Sequence, residues 1–114
     1  MAWNSVSLES TLAMIVAALF AVAGVVNLAR PGAVKRDFAR WGYPAWFQLL
    51  CGALELLSAA LLPGQQTRLL GLALAGAIMS GALFTLVRNR EPFRHLAPAL
   101  VFSALIAATL AVRG

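Results

Sequence analysis

Residues 69–87 read LLGLALAGAIMSGALFTLV, an unbroken run without a single Asp, Glu, Lys or Arg, closed by Arg68 before it and Arg88 after it. A stretch of about 17 to 25 apolar residues is what an α-helix needs to cross the hydrocarbon core of a bilayer. Residues 10–29 and 96–112 repeat the pattern, and residues 41–67 carry one charge, Glu55, near their middle. The whole chain is 114 residues long and only 11% charged, with a mean hydropathy of +0.84. Soluble domains carry about 25% charge, so the natural solvent here is lipid. The expected fold is all-α: a single-domain integral membrane four-helix bundle, with spans near 9–29, 44–62, 68–88 and 95–112.

A net charge of +5 does not point to nucleic acid, because the basic residues sit at the ends of apolar runs rather than on one soluble face. They read as topology signals. Arg30, Lys35, Arg36, Arg40, Arg88, Arg90 and Arg94 fall in the loops after spans one and three, whereas Arg68 and Arg113 fall on the other side. The positive-inside rule then places the two basic loops in the cytoplasm and both termini outside. The first apolar run is preceded by Glu9 and lacks a positive leader segment, so it is read as a retained span rather than a signal peptide.

Between spans one and two, Arg30-Pro31-Gly32 breaks the helix, and Val34, Phe38 and Trp41 follow at intervals of four and three residues. This spacing predicts a short amphipathic segment in the membrane interface. Gly42-Tyr43-Pro44 closes it. Pro63-Gly64-Gln65-Gln66 and Arg88-Asn89-Arg90-Glu91-Pro92 are tight turns. Arg30, Trp41, Tyr43 and His95 are expected to act as interfacial anchors.

Helices in a bilayer associate through small residues and occasional hydrogen bonds. Ala13, Ala17, Ala21 and Gly24 in span one, and Ala77, Gly81 and Thr85 in span three, are spaced to form packing faces. Span two differs, since Gln48, Cys51, Gly52, Glu55, Ser58 and Ala59 share a polar face that must point into the bundle. An acid at that depth is either paired or carries its proton. Glu55 is therefore the candidate acid/base or hydrogen-bond donor to a ligand, with Gln48, Cys51, Ser58, Asn27 and Ser80 as candidate ligand-binding neighbours. One His, one Cys and one mid-membrane acid give no metal-site spacing. A lone cysteine forms no intrachain disulfide, and no covalent-cofactor motif is present.

The residues Gly24, Asn27-Leu28-Ala29-Arg30-Pro31, Phe38-Ala39-Arg40-Trp41-Gly42-Tyr43-Pro44 and Gly52-Ala53-Leu54-Glu55-Leu56 together resemble the DoxX-like membrane proteins. Met79-Ser80-Gly81-Ala82 and Thr85-Leu86 fit the small-residue run of that family. The family's frequent lysine after span one stands here as Asn27 or Arg30. The resemblance implies a four-helix bundle in a bacterial-type inner membrane and an accessory role in a membrane redox system. A quinone is the implied ligand and a membrane or soluble redox protein the implied partner; a homo-oligomer is expected separately, because so small a bundle has little interior volume. Three other functions keep the same acid: a proton-coupled transporter, an acid-base enzyme for a hydrophobic substrate, and a structural assembly subunit.

Overall fold

The computed structural model describes residues 2–29 and 31–113. Arg30, expected as an anchor, lies outside the described residues. Five helices follow in order: α1 (Ala2–Ala29), α2 (Gly32–Arg40), α3 (Ala45–Leu61), α4 (Arg68–Arg88) and α5 (Phe93–Arg113). Among the described residues there is no strand. Residues Leu8–Ala29 of α1, together with α4 and α5, are each long and apolar enough to cross a membrane. The bent pair α2–α3 makes a fourth crossing when counted as one broken span. The helices close a ring in which α1 packs on α3 and α5, and α4 packs on the same two.

Two matching chain reversals set the basic-loop end of this ring. At the end of α2, the amides of Gly42 and Tyr43 donate to the carbonyls of Ala39 and Phe38, at 3.0 Å each. At the end of α4, the amides of Arg90 and Glu91 donate to Val87 and Leu86, at 3.1 and 3.0 Å. Both are Schellman motifs, which need one residue in the left-handed region. Gly42 fills that place in the first, with φ +87°, and Arg90 in the second, with φ +54°. An L-residue held there costs roughly 1 kcal/mol. The first reversal feeds a bend of 114° between α2 and α3, so α2 runs across the bundle end, as its amphipathic spacing predicts.

The interior is uneven along its length. Val16, Ser58, Leu62, Leu72 and Thr109 are almost fully buried in the half of the bundle near the start of α1 and the end of α5, with Phe20 nearer the middle and Gln48 buried toward the other end, in the first turns of α3. Within α1, Ala13, Ala17 and Gly24 are buried against neighbouring helices, as their spacing predicts. In α4 the expected packing face departs from its reading. Thr85 is buried, but Ala77 and Gly81 are exposed, and a Cβ added at Gly81 would meet nothing within 4 Å. These small residues leave room instead of closing it.

Candidate functional site

The site begins with two glycines. Gly24 of α1 and Gly52 of α3 face each other so closely that a Cβ on either would lie 2.9 Å from the other's carbonyl oxygen. Only a pair of residues without side chains permits that backbone contact. Three residues beyond each glycine stands a polar side chain, Asn27 on α1 and Glu55 on α3. The helices run in opposite directions, and helical side chains lean toward their own N-terminus. Asn27 and Glu55 therefore lean toward each other. Asn27 Nδ2 donates to Glu55 Oε1 at 2.5 Å, and Gly52 makes room for the crossing, since a Cβ there would sit 3.1 Å from Asn27 Cβ.

Glu55 is buried and forms part of the wall of two cavities. The larger, about 470 Å³, lies along α3 and α4. Leu50, Leu54, Leu74, Ala77, Gly81 and Phe84 give it an apolar lining open to the side of the bundle, where Phe84 and Leu50 are exposed. Its polar groups are Asn27, Tyr43, Cys51, Glu55 and Thr85. The second cavity, about 400 Å³, runs along the bundle axis, with Ala23, Glu55 and Phe102 deep inside and Asp37, Arg94 and His95 nearer the loops. Trp41, Met79 and Leu86 border both.

The aromatic residues of the α2–α3 bend roof the lateral groove. Tyr43 packs on Phe47 with ring centroids 4.5 Å apart, and Phe38 packs on Trp41 at 5.4 Å. The Tyr43 hydroxyl and Thr85 Oγ1 share a hydrogen bond of 2.7 Å that ties the bend to α4. Tyr43 and Trp41, expected from sequence as interfacial anchors, both line the groove. Trp41 Nε1 donates to Glu91 Oε1 at 2.8 Å. The same carboxylate accepts from Arg40 Nη2 and pairs with His95 Nδ1 at 3.0 Å. The indole donor, with Arg40 and His95 behind it, lowers the Glu91 carboxyl to about 2. His95 is placed at the loop end of the bundle, and its ring faces Glu91 and the axial cavity.

The remaining expected neighbours separate. Cys51 lines the lateral groove with a free thiol. Gln48 and Ser58 are buried on the polar face of α3, but neither lines a cavity, and Gln48 Nε2 and Ser58 Oγ have no hydrogen-bond partner among the described residues. Ser80 does not join them: it is exposed and donates to the Gly76 carbonyl at 2.8 Å. A helix turns about 100° per residue, so it is the neighbouring Met79 that points inward. Three residues of the region were not read from sequence as part of the site: Glu91 was read only as part of a turn, and Met79 and Thr85 only as parts of the small-residue run and packing face of span three.

Among the described residues no group of three or more His, Cys, Asp or Glu could hold a metal ion. The model of the DoxX-like family matches residues 11–109. This chain belongs to the DoxX-like family. The match spans every element that builds the DoxX-like site, from α1 to α5. No curated protein and no solved structure matches the chain.

Proposed function

We propose that this DoxX-like protein binds a small lipid-soluble molecule in the lateral groove, where Glu55 and Asn27 engage an oxygen at its polar end. The observation that carries this reading is a buried Glu55, hydrogen-bonded to a half-buried Asn27, in the wall of a mostly apolar groove of about 470 Å³. Small-molecule sites are concave, mostly apolar and oriented by a few convergent polar groups. Glu55 Oε1 is occupied by Asn27, which leaves Oε2, as a carboxylic O–H, and the second Asn27 Nδ2 hydrogen to donate to a ligand oxygen.

A quinone, with carbonyl oxygens on an apolar ring, suits such a site, and a redox accessory role in an inner membrane follows from that choice. The chain offers no haem, flavin or iron–sulfur motif, so electrons would come from a partner protein. In this reading the basic-loop end faces the cytoplasm.

The test is retention of a bound molecule by protein purified in mild detergent, measured by native mass spectrometry and extraction. Wild type is expected to keep one apolar molecule. Glu55→Gln removes one polar contact and should weaken binding by about tenfold, the effect of losing about 1.4 kcal/mol. Gly81→Leu fills the groove and should empty it. Equal retention by all three proteins would overturn the proposal.

A further inference from the structure

Glu55 has two different surroundings at once. On one side it meets the lateral groove, whose other lining is almost wholly hydrocarbon and aromatic. On the other it meets the axial cavity, whose mouth carries Asp37, Arg94 and His95. Of the titratable groups in the two linings, which are Tyr43 and Cys51 in the groove and Asp37, Arg94 and His95 in the axial cavity, Glu55 alone belongs to both.

The axial lining on α5 runs from Arg94 to Phe102, which is about 12 Å of helix rise. Water enters a cavity only where several polar partners hold it. Here the partners are spaced along the depth. Asp37, Arg94 and His95 stand at the mouth, and the Glu55 carboxyl stands at the floor. Between them Pro98, set inside α5, has no N–H to donate to the Arg94 carbonyl one turn earlier, so that oxygen remains free to accept from water. In the lateral groove the Tyr43 hydroxyl and Thr85 Oγ1 are bonded to each other and Asn27 Nδ2 to Glu55, so fewer polar groups are left open to water. Trp41, Met79 and Leu86 divide the two spaces, and Trp41 is fixed there by its hydrogen bond to Glu91.

We propose that the axial cavity is an aqueous proton path from the basic-loop end to Glu55, separate from the lateral groove through which a lipid-soluble molecule reaches the same carboxyl. In the step itself, a hydronium ion in the axial cavity gives its proton to the Glu55 carboxylate and remains as water. The resulting carboxylic acid can then donate that proton to a ligand oxygen on the groove side. The use of the proton rests on the groove-binding reading, whereas the path does not.

The path is tested without any ligand. The full chain is reconstituted in phosphatidylcholine nanodiscs and treated with a water-soluble carbodiimide plus an amine, and the Glu55-containing peptide is quantified by mass spectrometry. Wild type is expected to take the label. Ala99→Leu narrows the axial cavity alone and should reduce labelling by about tenfold, and Gly81→Leu should leave it unchanged. With lipid-soluble dicyclohexylcarbodiimide the two variants should exchange places. Should Ala99→Leu fail to fold, Ala23→Leu narrows the same cavity from α1. The proposal is overturned if wild-type Glu55 resists the water-soluble reagent, or if Gly81→Leu protects it as well as the axial variants do. Loss of the ligand reading in the retention experiment would leave this labelling pattern untouched.

Discussion

The two ends of the bundle are each gathered by one carboxylate, and they are gathered in different ways. At the end where α1 starts, Glu9 Oε2 accepts from Arg68 Nη1 at 2.8 Å and from Arg113 Nη1 at 3.0 Å. Arg68 is buried, and it also donates from Nε to the Leu62 carbonyl at 2.8 Å and from Nη2 to Pro63 at 3.1 Å. One guanidinium thus joins α1, α4 and the turn after α3. At the opposite end Glu91 holds an exposed Arg40, an indole and an imidazole. The first end is solid below its clamp. The second covers both cavities. A buried guanidinium fixed to backbone suits a permanent closure, whereas a carboxylate holding exposed partners suits a cover over working space.

The largest expected effect lies at the solid end. Arg68→Ala leaves Glu9 with one partner and two carbonyls without donors, and should cost about 3 kcal/mol or more. Reversible unfolding in mixed detergent measures this, and a loss below about 1 kcal/mol would mean that the two ends are not so different.

Next comes acid titration of the cavity end. The carboxyl of Glu91 is depressed to about 2, so its contribution is full above the ordinary value of 4.5 and is lost as pH falls through about 2. With Trp3 and Trp46 replaced by Phe, Trp41 emission should hold steady from neutral pH down to about 3 and change as pH falls through about 2. In Glu91→Gln the altered emission should already be present at neutral pH. An unchanged Trp41 signal in that variant would break the comparison.

The smallest effect belongs to Arg113→Ala. Its guanidinium is one-third exposed and duplicates a contact that Arg68 already makes, so the expected change is about 0.5 kcal/mol or less. Measured beside Arg68→Ala, it separates burial from mere charge.

The sequence carried the membrane bundle, the amphipathic α2 and the family motif, because apolar run length and residue periodicity depend on local order alone. Asn27 and Glu55 were also legible, since each follows a glycine by three residues. Arg68 was not. As one cation at the end of an apolar run it resembled the other topology signals, and its burial depends on Glu9, which lies 59 residues away. Glu91 was hidden for the same reason, with Arg40 51 residues before it. Ser80 shows the complementary difficulty: depth follows from counting residues, but the direction around the helix depends on which neighbours are present. Gly81 shows it again, because a small residue permits close packing and permits a groove equally well.

The 17-residue length of α3 has a consequence for the surrounding lipid. At 1.5 Å per residue it spans about 26 Å, against about 32 Å for α4 and α5 of 21 residues each. A typical hydrocarbon core is about 30 Å thick. The apolar helix is thus shorter on the flank where the groove opens, and a bilayer that fits α4 and α5 is about 6 Å too thick for α3.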